Sequence, residues 1–246
     1  MKTGLEGRSV LITGAGRNIG RRMAVLFAEE GANVAICTSS NMDGLMTTAG
    51  EIEKAGTKAV AEKVDVTDAD AVAAFVAKTK DALGSVDVVV NNAVYRSEGD
   101  LLETSHESWM KNIDVNLNGP YYVCKNAIPH MIDGKWGRIV NFSGIAPYLG
   151  SYPGKSMVKI GIVGFTRGIA KQYGEHNITA NCIGPGHIDV ERDDFQDKNK
   201  GVFDHQPIRR SGKPDEVASL AVFLASEQGG YITGQSYLVN GGAYMQ

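Results

Sequence analysis

Short apolar runs recur along the chain, separated by longer stretches in which apolar positions return every three or four residues. Ser9–Thr13 (SVLIT), Asn33–Cys37 (NVAIC), Lys58–Val66 (KAVAEKVDV), Val86–Asn92 (VDVVVNN), Arg138–Ser143 (RIVNFS), Ile178–Gly184 (ITANCIG) and Ser236–Asn240 (SYLVN) are the predicted strands. Several lack polar alternation, as parallel strands covered on both faces do. Between them, Ile19, Met23, Leu26 and Phe27 share one face of a predicted helix that Gly31 can end. Thr67 with Asp70, and Thr104 with Glu107, have N-terminal capping spacing for two more helices. Pro214 followed by DEVASLAVFLAS predicts a helix that starts on proline. Alternating units of this length predict an α/β fold, a doubly wound parallel sheet with helices on both faces and right-handed crossovers.

One stretch breaks the rhythm. Residues 189–206 are polar and charged and lie between the sixth predicted strand and the last helix. A connection this long in a compact domain is usually functional or a surface insertion. Its position over the carboxyl ends of the strands predicts a substrate lid.

Composition narrows the class without altering that picture. The 246 residues are 43% apolar and 22% charged, as expected for one soluble globular domain over residues 1–246. A net charge of -3 gives no reason to expect nucleic acid or a membrane surface as partner. MKTGLEGRSVLITG lacks the apolar core of a signal peptide, so a cytoplasmic location is expected. Cys37, Cys124 and Cys182 are widely spaced and read as core residues in a reducing compartment. They share no metal-ligand spacing with His106, His130, His176 or His205, and no metal site is expected. Trp109 and Trp136 read as packing residues.

The candidate chemistry begins at TGAGRNIG (Thr13–Gly20), which follows the first strand and opens the first helix. Backbone N–H groups there would hold a pyrophosphate. Counting G-x-G-x-x-G from Gly14 puts Ile19 at the last glycine, and the pattern G-x-x-x-G-x-G has Asn18 at its middle one. Asparagine readily takes the left-handed conformation, so Asn18 can stand in for glycine. After the second strand come Thr38, Ser39 and Ser40, with no acidic residue to accept from a ribose 2′-hydroxyl. With Arg17 in the loop as a phosphate partner, this charge pattern favours NADP(H) over NAD(H).

Together with VDVTD (Val64–Asp68), VVVNNA (Val88–Ala93), IGPGHID (Ile183–Asp189) and GYITGQSYLVNGG, that loop closely resembles the short-chain dehydrogenase/reductase family, in its 3-oxoacyl-[acyl carrier protein] reductase-like branch. The resemblance covers essentially the whole chain. It implies a single-domain Rossmann-type sheet of about seven strands, a homotetramer, and hydride transfer to or from a small carbonyl or alcohol substrate. Gly14, Ile19 and Gly20 would line the pyrophosphate, and Asp65 and Val66 the adenine. Asn92, Ala93, Pro185, Gly186 and Ile188 would flank the nicotinamide. Val94 stands where the family usually has glycine, and Val190 near a threonine that commonly holds the carboxamide.

The family's chemistry uses a Tyr-x-x-x-Lys helix, a serine and an asparagine. Asn116 in DVNLNGP matches the asparagine. KIGIVGFTRGIA places the lysine, which holds the nicotinamide ribose, at Lys159, and four residues before it stands Lys155 instead of tyrosine. Ser143 precedes Gly144 where the family often has two serines. Three readings follow. Tyr152 or Tyr148 supplies the proton and the protein remains a reductase. Alternatively Lys155, on the same helix face as Lys159, acts as acid, base or imine former, which would also permit a lyase or isomerase. In the third, the chain binds NADP(H) without catalysis, as a regulatory subunit. His187 and Arg96 could face the substrate, an arginine there suiting a carboxylate.

Overall fold

A computed structural model describes residues 2–96, 99–191 and 206–245. Seven strands form one parallel sheet in the order β3-β2-β1-β4-β5-β6-β7. They are β1 Ser9–Thr13, β2 Asn33–Thr38, β3 Ala59–Lys63, β4 Val88–Asn91, β5 Gly137–Phe142, β6 Ile178–Pro185 and β7 Ser236–Val239. The helices are α1 Asn18–Glu29, α2 Met42–Lys54, α3 Ala69–Leu83, α4 His106–Ile113, α5 Gly119–Asp133, α6 Ala146–Leu149, α7 Pro153–Tyr173 and α8 Pro214–Ala225. A π-type turn over Asp114–Asn118 joins α4 to α5.

The strands lack polar alternation because both faces of the sheet are covered. Val10 and Ile12 of β1 pack with Met23 and Phe27 of α1, Leu45 of α2 and Val217 of α8. Leu11, between them, points the other way, into the layer of Phe75 (α3), Val123 (α5) and Ile169 (α7). Strand order reverses between β1 and β4, which opens a crevice at their carboxyl ends, the usual ligand position in such sheets.

Two predicted caps lie one residue off. Asp68 caps α3, accepting from the N–H groups of Asp70 and Ala71 at 3.0 Å each. Thr67 is already committed, because its hydroxyl donates to Asp65 Oδ1 at 2.8 Å. That turn also ends β3 at Lys63, short of the predicted Val66. Ser105 caps α4 through the Ser108 N–H, while the Thr104 hydroxyl donates back to the Asp100 carbonyl. Helix α8 starts on Pro214 as predicted. Of the expected lid, Asp189–Glu191 and Gln206 are described, and the remainder lies outside the described residues. Among the described residues no helix is long and apolar enough to cross a membrane.

Candidate active site

The crevice between β1 and β4 is shaped by what its backbone excludes. Gly14 sits at φ +68, and a Cβ there would lie 2.9 Å from Ala93 Cα. A Cβ on Gly20 would run into the Gly14 carbonyl. Asn18 adopts φ +54, the left-handed conformation its glycine-like position requires. No side chain caps α1 and no acidic residue stands in its first turn. Its positive end therefore faces the crevice with backbone donors suited to a pyrophosphate.

Asn92, together with Thr13, Asn41 and Thr48, to which the sequence assigned no site role, holds this loop. Thr13 Oγ1 accepts from the N–H groups of Asn92 and Ala93 at 3.1 and 3.0 Å. Asn92 Nδ2 donates to the carbonyls of Thr13 and Gly14 at 3.0 and 2.8 Å. The Asn92 side chain thus welds β4 to the phosphate loop. From α2, Thr48 donates to the Ala15 carbonyl at 3.0 Å, and Asn41, its N-cap, donates to the Gly16 carbonyl at 3.2 Å. Their only sequence signal is a polar residue at the end or flank of an apolar run.

Thr38 ends β2 half-buried and Ser39 after it is exposed; the phosphate loop packs on this end of β2 through the Gly14 and Ala15 N–H groups on the Cys37 carbonyl, and Arg17 of that loop is exposed. Lys63 is Thr38's register partner on β3, a second cation at this edge that sequence reading did not single out. Asp65 is exposed and bonded to Thr67, whereas Val66 is buried, pressing on Gly119 where a Cβ would lie 3.0 Å from Val66 Cγ2. Across the crevice, Gly186 donates to the Val239 carbonyl at 2.9 Å, and Ile188 pairs with Gly212. A Cβ on Gly186 would lie 2.7 Å from Asn240 Cα.

The candidate chemical groups converge where α7 crosses the end of β5. Lys159 Nζ donates to the Phe142 carbonyl at 3.0 Å. Burial pushes this ammonium down to about 8; the Cys182 thiol opposes the shift, and the charges of Lys155 and Arg96 add to it. Lys155, one turn earlier on α7, is partly buried. Burial, more than the neighbouring charges, lowers the basicity of Lys159.

Asn116 lies buried in the π-type turn. Its Nδ2 is 2.9 Å from the Tyr95 carbonyl and 2.9 and 3.0 Å from Asn112 O and Oδ1. Buried Asn112 donates in turn to the Gly154 carbonyl at 2.9 Å. This pair draws Tyr95–Arg96 and Gly154–Lys155 to one rim, and Asn112 was not singled out in the sequence, although its i, i+4 spacing from Asn116 was visible. Asn116 Oδ1 is buried without a protein partner. It is an acceptor turned to no other side chain.

Ser143 is buried, its hydroxyl 3.4 Å from both the Ile183 carbonyl and the Ser236 hydroxyl. Tyr152 is the N-cap residue of α7 and is 45% exposed. Tyr148 stacks on Tyr244 with centroids 5.1 Å apart. His187 Nδ1 lies 3.0 Å from the Ser211 hydroxyl. Trp136 is buried between the guanidinium groups of Arg8 and Arg138, 4.0 and 4.2 Å from its ring centre, a packing role. Cys37, Cys124 and Cys182 are buried, and burial pushes their thiols up to about 12, 12 and 11. Among the described residues no group of His, Cys, Asp or Glu could hold a metal ion.

Known proteins resemble the chain over almost its whole length. A family model described as enoyl-(acyl carrier protein) reductase matches residues 14–244. The chain is 40% identical over 253 residues to the 3-oxoacyl-[acyl-carrier-protein] reductase FabG of Chlamydia muridarum (strain MoPn / Nigg), covering 98% of this chain and 99% of that one. Among solved structures, a doubly substituted short-chain dehydrogenase/reductase of Serratia marcescens superposes with a TM-score of 0.89 at 31% identity, covering 97% and 98% of the two chains. A blue fluorescent protein from a metagenomic library, in complex with NADPH, gives a TM-score of 0.90 at 29% identity, covering 98% and 100%.

Proposed function

The chain belongs to the short-chain dehydrogenase/reductase family, an oxidoreductase of FabG-like type, and from that premise we propose that it uses NADP(H) to interconvert a small carbonyl compound and its alcohol, with Lys155 in place of the usual tyrosine. The observation that carries this reading is the pairing of a glycine-shaped phosphate crevice with Lys159 at its far end, held on Phe142 with a pKa of about 8. Gly14 and Gly20 let the phosphate loop pack closer than any Cβ would allow, and the start of α1 beside them has neither a side-chain cap nor an acidic residue, so the residues present fit a dinucleotide. When bound, the nicotinamide supplies or accepts the hydride.

The chain's own groups do the rest. Gly14, Ile19, Gly20 and the start of α1 would bind the pyrophosphate. Arg17, Thr38 and Ser39 would take the 2′-phosphate, with no acidic residue on that rim to repel it. Asp65 and Val66 would flank the adenine; Asn92, Ala93, Pro185, Gly186 and Ile188 would wall the nicotinamide side. Lys159 would hold the ribose, one turn along the same helix face from Lys155. Lys155 would pass a proton to the substrate oxygen, Ser143 would steady the oxygen, and Asn116 would hold the α4–α5 turn against both rims. A homotetramer, a cytoplasmic location and a lid over 189–206 complete the proposal, on resemblance and chain pattern.

Oxidation of NADPH and NADH should be followed against a panel of ketones and 3-oxoacyl thioesters. Turnover with preference for NADPH is the expected result. Measurable NADPH binding with no turnover of any carbonyl would sink the reductase reading.

A further inference from the structure

The phosphate loop and the loop after β6 meet at one side chain. Asn18 Nδ2 donates to the Glu191 carbonyl at 2.8 Å, and Asn18 Oδ1 accepts from the Glu191 N–H at 3.0 Å. A single carboxamide therefore pairs with both backbone groups of one residue, as a neighbouring strand would. Among the described residues of that loop, Gly186 to Asp189 are fixed from the opposite side. Gly186 N–H donates to the Val239 carbonyl, Asp189 N–H to Gly212 and Gly212 N–H to His187, at 2.8 to 2.9 Å. Glu191 is the end that reaches back over the crevice, and its carboxylate also favours the charged form of Arg21 on α1. The contact thus bridges the two walls, one on the pyrophosphate side and one on the nicotinamide side.

We propose that Asn18 is a cofactor-positioning residue, whose side chain ties the β6 loop to the phosphate loop and so sets the width of the dinucleotide cleft. This rests on the dinucleotide reading given above. Glycine would supply the backbone conformation at φ +54 without strain, but it cannot make the tie. The departure at Asn18 is therefore more than a tolerated substitute for glycine: it adds a contact that glycine lacks.

Asn18→Gly tests this, because it keeps the backbone and removes only the carboxamide. Hydrogen exchange at the Glu191 amide in cofactor-free protein reads the tie directly, and calorimetric titration with NADPH reads its consequence. Loss of two partly exposed hydrogen bonds should speed exchange at Glu191 and raise the NADPH dissociation constant about tenfold. KM for NADPH should rise with it, and kcat should move much less. Asn18→Asp, which retains the acceptor but not the donor, should give intermediate exchange. Unchanged exchange at Glu191 in Asn18→Gly overturns the tie, and faster exchange with an unchanged NADPH constant overturns the positioning role alone. If the wild-type protein binds neither NADPH nor NADH, the cofactor reading falls, and this role with it.

Discussion

The Lys159 ammonium donates to the Phe142 carbonyl at 3.0 Å, fastening α7 to the carboxyl end of β5. Burial lowers this group from its usual 10.5 to about 8, so its charge is held at a cost in stability. Below pH 8 both folded and unfolded chains carry the proton and the cost is fully present. Between 8 and 10.5 the unfolded chain binds the proton that the folded one has lost, so this contribution to stability rises with pH across that window. Lys159→Met should therefore be more stable than wild type at pH 7 by about 2 kcal/mol, after allowance for the lost bond to Phe142. The difference should fall by about 1.4 kcal/mol per pH unit above pH 8, pass through zero near about pH 9.5, and favour the wild type by about 1 kcal/mol at pH 10.5, where the bond to Phe142 is what remains. Urea denaturation of both proteins across that range measures it, and a difference independent of pH would contradict the assignment. Cys37 and Cys124 titrate alike in the two proteins and cancel.

Lys155 stands one turn before Lys159 on the same face of α7, at the rim that Asn112 joins to the α4–α5 turn. As proton donor it should be worth about a hundredfold in kcat, a typical contribution from a positioned acid. Lys155→Ala should lose that factor in carbonyl reduction. Lys155→Tyr, which puts a tyrosine where the family resemblance implies one, should reduce at least as fast as wild type. Steady-state kinetics with a turned-over ketone decides this. A Lys155→Ala enzyme of undiminished kcat, or an equal loss in Tyr152→Phe with none in Lys155→Ala, would move the proton to Tyr152 at the start of the helix.

The fold was legible because the sheet is covered on both faces. Runs such as VVVN and SVLIT need no polar alternation, and the parallel, doubly wound arrangement followed from alternating units. The caps were misplaced by one residue because Thr67 and Thr104 look like caps, while their hydroxyls are engaged locally, with Asp65 and Asp100. The glycines of the crevice were legible as a motif, but the groups that brace it were not. Thr13, Asn41 and Thr48 act through contacts between segments distant in sequence, which no local pattern records. The same holds for Asn18, whose left-handed backbone was expected from its type but whose partner lies 173 residues away. Lys155 against Lys159 was visible as spacing, yet the loss of basicity at Lys159 comes from burial, a property of packing.

The three cysteines offer a check on that packing. Burial raises their thiols to about 12 for Cys37 and Cys124 and about 11 for Cys182, so almost no thiolate exists at pH 8 in the folded protein. A water-soluble aromatic disulfide should label native protein only at the rate of its opening, and label all three at once in denaturant. NADPH, if it binds the crevice as proposed, should slow native labelling further. Rapid stoichiometric labelling of native Cys182 would instead place a reactive thiol beside Lys159 and call for a different account of that site.

Cofactor choice turns on Thr38 and Arg17. The rim at the end of β2 carries Thr38, Ser39 and the exposed Arg17, with Lys63 in register beside Thr38. A carboxylate at position 38 would accept from a ribose 2′-hydroxyl and repel a 2′-phosphate. Thr38→Asp should weaken NADPH by about a hundredfold, some 2.7 kcal/mol, and tighten NADH. Arg17→Gln should weaken NADPH about tenfold through loss of a charge-assisted contact and leave NADH nearly unaffected. The two effects come from opposite directions, one adding repulsion and one removing attraction. Their agreement therefore locates the 2′-phosphate better than either variant alone. Calorimetric titration of each variant with both cofactors gives the four constants. If Arg17→Gln weakens NADH as much as NADPH, Arg17 serves the shared pyrophosphate and the argument for NADP(H) loses its main support.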